Sequence, residues 1–299
     1  MDKVKKIALR ALQIFLDTKM LVYAGNATLF IITAIFPMLM LVISIVNLLP
    51  GYSPESVAEI FFHLLPNLES LRELVESMVT NLRDQTGGVL ASIAAVTTLW
   101  AASGGVNAIR VGLIQLDGGE PGKRLHNMLL KRIIFTLMLV ILIPAFLVFN
   151  MLGSSVQHVM DNIVAKLGAE KLLQWRDSIA SVFQIGTLLV PIAALFVVLL
   201  IYMFLPAKRH TLKSRIPGTV FTGVACFLFT QLFSFFIPRF YHSSSLYGSL
   251  ASLFLALLWV RVIMMILFAG GALNTALEEE SAKPEGEKEE AYTDYFRGE

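Results

Sequence analysis

Six long apolar stretches, five of them free of charged side chains, constrain this chain more than any other feature. They cover residues 20–54, 86–109, 133–160, 178–207, 216–238 and 240–277. Each holds the roughly 20 apolar residues with which an α-helix crosses a hydrocarbon layer about 30 Å thick. The apolar runs are continuous, without the alternation of β-barrel strands. We therefore predict an all-α integral membrane protein built as a six-transmembrane-helix bundle.

Arg261, near the middle of the sixth stretch, is the only charged residue within any of the six. An arginine at this depth costs about 2.5–3.5 kcal/mol on insertion scales, and it does not escape this cost by losing its proton. Backbone carbonyls and hydroxyls inside the bundle would satisfy the guanidinium, and so would an anionic group in a polar cavity. Because the six stretches contain no Asp or Glu, an anionic group in a polar cavity is the favoured interpretation.

Composition agrees with a membrane protein and excludes several kinds of site. Apolar residues make up 56% of the 299 residues and charged residues 15%, whereas soluble domains have about 25% charged residues. The single cysteine, Cys226, has no partner for an intrachain disulfide. The histidines lie in five different segments without metal-ligand spacing; they are His63, His126, His158, His210 and His242. We therefore predict no metal site and no cofactor.

The distribution of Lys and Arg predicts how the chain is oriented in the membrane. Seventeen of the 24 lie in the N-terminal segment, in the connections between the second and third and the fourth and fifth stretches, and in the C-terminal tail. Six lie in the remaining connections. Because basic connections stay in the cytoplasm, we predict that both termini are cytoplasmic.

The predicted transmembrane domain, residues 20–277, includes two outer connections and lies between an N-terminal segment and a C-terminal tail. Residues 1–19 mix basic and apolar positions, which is typical either of an amphipathic helix at the inner membrane surface or of a charged lead-in to the first span. The outer connections, at about 53–85 and 154–177, show helical spacing of apolar residues. The tail, 278–299, holds nine acidic residues and is predicted to be disordered.

Polar residues within or beside the spans are the candidate binding residues. An anionic headgroup would suit arginines that face the bundle interior. The candidate substrate- or lipid-binding residues are Arg261, Arg110, Asn107, Trp100, Asn26, Gln231 and Tyr247. The basic run before the fifth span is typical of a topology signal, and headgroup binding is a further interpretation of it. Its basic residues are Lys208, Arg209, Lys213 and Arg215.

Four stretches carry a family resemblance. They are ATLF at 27–30 with IFPML at 35–39, LWAASGG at 99–105 with NAIR at 107–110, YMFLP at 202–206, and YGSL at 247–250 with Trp259 and GGALN at 270–274. Together they resemble the YihY/virulence factor BrkB family of bacterial inner-membrane proteins, over about residues 10–277. The resemblance implies six spans and a location in the bacterial cytoplasmic (inner) membrane. Several members were once labelled ribonuclease BN, and links of members to envelope lipid traffic and serum resistance favour lipid handling over catalysis.

The sixth span departs from the pattern of that family. The family typically ends this span Gly-Ala-Glu-Leu-Asn, whereas the chain has Ala272 at the glutamate position and carries Arg261 upstream. Losing an acid and gaining a base changes the polarity of an interior site. A role of the family glutamate in carrying protons or binding a cation is therefore in question here.

Two classes of function are carried forward, and a third is disfavoured. A transporter or lipid-translocating protein with a polar cavity around Arg261 accounts best for the polar positions in the spans. The alternative is a non-transporting membrane scaffold or partner subunit of an envelope complex, which binds proteins or a second copy of itself. An enzyme, ribonuclease included, is disfavoured because the sequence shows no nucleophile–base constellation and topology explains the basic residues. The expected partners are membrane lipids with anionic headgroups, and not nucleic acid.

Overall fold

The computed structural model describes residues 2–46, 88–119, 133–142, 191–206, 208, 210–240 and 248–282. Within these ranges the chain forms seven helices and no strands: α1 Asp2–Asp17, α2 Met20–Val46, α3 Gly88–Leu116, α4 Ile133–Leu142, α5 Pro191–Phe204, α6 Leu212–Phe240 and α7 Gly248–Ala282. Four of them, α2, α3, α6 and α7, are long and apolar enough to cross a membrane.

The structure confirms the all-α prediction for the described residues. The shorter apolar helices α4 and α5 lie within the third and fourth predicted stretches. The count of six spans and the orientation of the termini stay predictions. The two outer connections and residues 283–299 of the tail lie outside the described residues.

A sharp turn at Thr18 and Lys19 separates α1 from α2. The Thr18 N–H donates to the Ile14 carbonyl at 3.1 Å, and the Lys19 N–H donates to the Leu16 carbonyl, three residues back, at 3.0 Å. Lys19 has a φ of 55°, a left-handed conformation that ends a helix. The N-terminal segment is therefore a separate helix, which packs against α7.

A Schellman motif ends α3 and fixes the position of Asp117. The Gly119 N–H donates to the Ile114 carbonyl at 2.9 Å, and the Gly118 N–H donates to the Gln115 carbonyl at 3.1 Å. Gly118 has a φ of 65°, a region that glycine enters without steric cost. Residues 117–119 therefore form an ordered helix cap that holds Asp117 at the end of α3.

Small residues on α3 allow α2 to pack closely against it. A Cβ on Gly104 would overlap the ring of Phe30 in α2, and a Cβ on Gly105 would lie 3.5 Å from a side-chain atom of Ile31. Ala101 is also buried on this helix. The small residues of the LWAASGG stretch thus receive the large side chains of α2, as is usual for helix pairs in membranes.

The buried apolar core lies at one end of the bundle, where α1 and the last turns of α7 meet; we call this the terminal end. Its side chains come from α1, α2, α3, α4, α7 and the end of α5. They include Ile14, Phe15, Met20, Ala24, Leu113, Leu116, Tyr202, Leu205, Phe268, Ala272 and Ala276. Burial of these side chains takes their apolar surface out of contact with solvent. Their contacts with one another fix the ends of the helices relative to one another.

A second group of large apolar side chains points away from the bundle. Trp100 is 72% exposed and Phe254 is 70% exposed, and Val96 and Phe227 are similarly open. In water, so much exposed apolar surface would favour association with other surfaces. Against lipid tails it is the expected composition of an outer helix face.

Candidate functional site

Two helix backbones touch where α6 crosses α7. A Cβ on Gly218 of α6 would overlap the carbonyl oxygen of Gly270 in α7. A Cβ on Gly270 would overlap the Thr222 hydroxyl and would lie 2.7 Å from the carbonyl oxygen of Gly218. Any larger residue at either position would force the helices apart, so glycine at both positions is what permits this close crossing.

Asn274 of α7 supports the start of α6, where Pro217 interrupts the regular backbone hydrogen bonds. The Gly218 N–H donates to Asn274 Oδ1 at 2.7 Å, and Asn274 Nδ2 donates to the Arg215 carbonyl at 3.3 Å. Asn274 is fully buried. One side chain thus satisfies two backbone groups of the neighbouring helix, each bond contributing about 1 kcal/mol.

Tyr202 joins α5 to the same crossing. Its hydroxyl donates to the Leu267 carbonyl of α7 at 2.5 Å and is hydrogen-bonded to Thr222 Oγ1 of α6 at 2.7 Å. The side chain is fully buried, so these two bonds take the place of the hydrogen bonds that the hydroxyl would make with water. Three helices are therefore locked together beside the crossing.

Four side chains form what we call the ionic cluster: Asp117, His210, Arg215 and Glu278. They come respectively from the end of α3, the connection that precedes α6, the first turn of α6 and the last part of α7. His210 Nε2 lies 2.9 Å from Asp117 Oδ2, and His210 Nδ1 lies 3.1 Å from Glu278 Oε1. Arg215 Nη2 donates to Asp117 Oδ1 at 3.4 Å and to Glu278 Oε2 at 3.3 Å. The cluster therefore ties three parts of the chain together at the terminal end.

Three of the four side chains are almost completely buried. Those of Asp117, His210 and Arg215 are 6%, 5% and 3% exposed, whereas that of Glu278 is 34% exposed. Thr275 Oγ1 adds a hydrogen bond to Asp117 Oδ1 at 3.3 Å. Charges taken out of water need partners of this kind, because leaving one of them unpaired costs several kcal/mol, of order 3–5.

The carboxyl group of Asp117 has a lowered pKa. Burial raises the pKa of this group, but the hydrogen bond from His210 and the charge of Arg215 outweigh burial. Asp117 is therefore charged at neutral pH. Its stabilising contribution is present above the ordinary carboxyl pKa and is lost as the pH falls through the lowered value.

Sequence patterns singled out Arg215 but not its three partners in the cluster. Asp117 lies eight residues, and Glu278 one residue, beyond the end of an apolar stretch, on the same predicted side of the membrane as His210 in the basic run. This shared side of the membrane was the feature of the sequence that could have indicated that the four residues lie near one another. His210 is 93 residues from Asp117 and 68 from Glu278 along the chain, so spacing alone does not bring them together.

Arg261 lies on an exposed part of α7 that faces Gly25 of α2. Its Nη1 atom is 3.3 Å from the point that a Cβ of Gly25 would occupy, so the glycine leaves room for the guanidinium beside α2. No hydrogen bond or ion pair reaches Arg261 from the residues that the structure describes. The 17 residues that separate it from Glu278 correspond to about 26 Å along the helix.

Among the other predicted binding residues, the structure brings Arg110 and Asn107 together. Arg110 is buried, and its Nη2 donates to Asn107 Oδ1 at 3.4 Å. Trp100 of α3, Asn26 of α2 and Gln231 of α6 have exposed side chains. Tyr247 lies outside the described residues.

The basic run has three different kinds of environment. Lys208 is exposed and its Nζ donates to the Asp117 carbonyl at 2.6 Å, while Lys213 is exposed at the start of α6. The guanidinium of Arg215 is inside the ionic cluster and is bound by protein carboxylates. Arg209 lies outside the described residues. Lys213 is therefore better placed than Arg215 to meet a headgroup.

α1 is attached to α7 and keeps an apolar face exposed. Arg10 Nε donates to Glu279 Oε2 at 2.8 Å in a pair that is about half exposed. Ile14 and Phe15 are buried in the core. The outward face carries exposed apolar side chains, namely Val4, Leu9, Leu12 and Leu16. This arrangement is typical of a helix at a membrane surface.

Long apolar helices joined by a buried polar network at one end define the chain as an all-helical integral membrane protein. The protein belongs to the virulence factor BrkB family, whose family model matches residues 11–293. The resemblance carried by the four sequence stretches is thereby confirmed.

Several curated proteins are similar to this chain. A ribonuclease-like protein of Bacillus subtilis (strain 168), YfkH, is 26% identical over 256 residues, which cover 86% of this chain and 89% of YfkH. A UPF0761 membrane protein of Idiomarina loihiensis is 31% identical over 110 residues, covering 36% of this chain and 39% of that protein. One of Haemophilus influenzae strain PittEE is 29% identical over 84 residues, covering 28% of this chain and 31% of that protein. No solved structure matches the chain.

Proposed function

We propose that this membrane protein transports or translocates an anionic lipid, which binds in a polar intramembrane cavity around Arg261. The observation that carries the proposal is the position of Arg261 on a spanning helix, exposed and beside the side-chain-free Gly25. As part of this proposal, the protein resides in the bacterial cytoplasmic membrane with both termini in the cytoplasm.

The chemistry of the guanidinium favours a phosphate-bearing ligand. An arginine within hydrocarbon costs about 2.5–3.5 kcal/mol on insertion scales, which a bound anion would offset. Its planar group of N–H donors fits phosphate oxygens in pairs, and the exchange to lysine would lose this paired geometry. The exposed apolar faces of the long helices would lie against the acyl chains of the same lipid.

The proposal includes no catalytic step. The term ribonuclease-like belongs to the name of YfkH, and Asp117, Arg215 and Glu278 are paired with one another in the ionic cluster. Lipids, rather than nucleic acid, are therefore the proposed ligands.

Native mass spectrometry of the protein extracted in a mild detergent, with identification of co-purified lipids, tests the proposal. Wild type, Arg261→Ala and Arg261→Lys are compared. Thr97→Val is the matched control, because this hydroxyl is exposed on another span and already bonds its own helix at Ile93. We expect wild type and Thr97→Val to retain an anionic phospholipid, Arg261→Ala to lose it, and Arg261→Lys to retain less.

A transport measurement extends the test to translocation. Vesicles with a fluorescent phosphatidylglycerol in both leaflets report lipid exchange when a membrane-impermeant reductant bleaches the outer leaflet. We expect faster exchange with wild type than with Arg261→Ala. Equal lipid retention and equal exchange by both proteins would refute the proposal and favour a scaffold role.

A further inference from the structure

The two ring nitrogens of His210 face two different carboxylates. Nε2 is 2.9 Å from Asp117, and Nδ1 is 3.1 Å from Glu278. An ionised carboxylate only accepts hydrogen bonds, and a neutral imidazole has one N–H to donate. With a neutral ring and two ionised carboxylates, one of these two contacts would therefore place a lone pair against an anion.

One additional proton resolves this conflict. A protonated ring donates to both carboxylates at once, and a neutral ring is satisfied equally well if the proton sits on Glu278 instead. The charges agree with this count: Asp117 and Glu278 bring two negative charges, and Arg215 supplies one positive charge. The extra proton makes the buried group neutral overall.

We infer that the ionic cluster is a proton-binding site, and that its bound proton holds the end of α7 against the start of α6 and the end of α3. The inference rests on the geometry of the cluster and is independent of the proposed lipid function. The charged groups that face His210 are Asp117 from α3, Arg215 from α6 and Glu278 from α7; Lys208, on the same connection as His210, bonds the Asp117 backbone.

Loss of the proton breaks the contact of His210 with Glu278 rather than the contact with Asp117, and leaves Glu278 bonded to Arg215 alone within the cluster. Both carboxylates bond Arg215, but Asp117 is 6% exposed and also bonds Thr275, so its charge would be the more costly one to leave without His210. Glu278 is 34% exposed and reaches water by a side-chain rotation. The remaining N–H of the neutral ring therefore stays on Asp117, and the last turns of α7 lose their contact with the connection that leads into α6.

Distances between spin labels on the full-length protein in lipid nanodiscs test this inference. Labels are placed at Lys213→Cys of α6 and Ser281→Cys of α7, both exposed positions, in a Cys226→Ser background. The distance distribution is recorded at about pH 5 and about pH 8, the range over which histidine ordinarily changes charge. We expect a short, narrow distribution at the lower pH and a longer, broader one at the higher pH.

Two variants separate proton binding from a merely structural role. His210→Ala removes the bridge and is expected to give the broad distribution at both pH values. Glu278→Gln is expected to give the narrow distribution at both, because its amide donates to a neutral ring without an added proton. His242→Gln, at a position outside the described residues and outside the ionic cluster, is the matched histidine control and should behave like wild type.

Each other outcome overturns the inference. A wild-type distribution that is the same at both pH values shows that no proton controls the contact. A pH response that persists in His210→Ala or in Glu278→Gln places the titrating group elsewhere. If His210→Ala does not fold, the comparison of wild type with Glu278→Gln still decides the question.

Discussion

Two arginines of this chain occupy opposite environments. Arg215 is 3% exposed and donates to two carboxylates at the terminal end, whereas Arg261 is exposed within a spanning helix and has no ion pair among the described residues. The cost of burying Arg215 is offset inside the protein, so this side chain contributes to the fold. Arg261 has no such contact in the described part of the chain, which leaves its donors available to a ligand. The same side chain is thus structural in one place and a candidate for binding in the other.

Removal of the buried guanidinium should have the largest effect. Arg215→Met removes the guanidinium that donates to both Asp117 and Glu278, and we expect a loss of about 3–5 kcal/mol in the free energy of unfolding. Denaturation of the purified protein in detergent, followed by circular dichroism, measures the change. Arg10→Met is the control, because its exposed pair with Glu279 should contribute about 0.2–1 kcal/mol. Equal losses in the two variants would show that burial does not distinguish them.

A smaller loss is expected when the helix crossing beside the ionic cluster is disturbed. Gly218→Ala places a methyl group against the Gly270 carbonyl, a backbone atom that cannot rotate away, so we expect a loss of about 1–3 kcal/mol. Gly105→Ala is the matched change on α3, where the new methyl group would make an ordinary contact of 3.5 Å with Ile31. The midpoint of thermal unfolding, read by size-exclusion chromatography, compares the two. A more stable Gly218→Ala would contradict the close crossing.

The smallest effect on stability should come from the arginine in the span. Arg261→Met makes the same exchange as Arg215→Met, but here no described ion pair is broken, so we expect a change within about 0.5 kcal/mol. The same denaturation experiment measures it. A loss as large as that of Arg215→Met would show that protein groups hold this guanidinium, and the contrast between the two arginines would then disappear.

The helices could largely be predicted from apolar stretches, but their ends could not. The second and sixth stretches are each followed directly by a charged residue, Arg110 and Glu278, yet α3 continues to Leu116 and α7 to Ala282. Arg110 is buried and Glu278 belongs to the ionic cluster, so neither charge marks the end of its helix. Charge indicates where a helix can meet water only when the charged side chain is not already paired inside the protein.

The candidate site was only partly predictable, because its residues are far apart in the sequence and come together only in the folded protein. Arg261 stands out locally as a lone charge in an apolar stretch, so the sequence alone identified it as a candidate binding residue. Asp117 and His210 look ordinary where they occur, one before a glycine and one in a basic run. The Schellman motif at Gly118 and the packing of α6 against α7 bring them together, and these tertiary contacts leave no spacing pattern in the sequence.

The crossing at Gly270 also lies nearly midway between Arg261 and Glu278 on α7. Glu278 lies eight residues beyond it, about 12 Å along the helix, and Arg261 lies nine residues before it, about 14 Å. If α7 tilted as a straight helix about this point, these two residues would move by similar amounts in opposite directions. Such a tilt would couple the carboxylate of Glu278 at the terminal end mechanically to the guanidinium of Arg261.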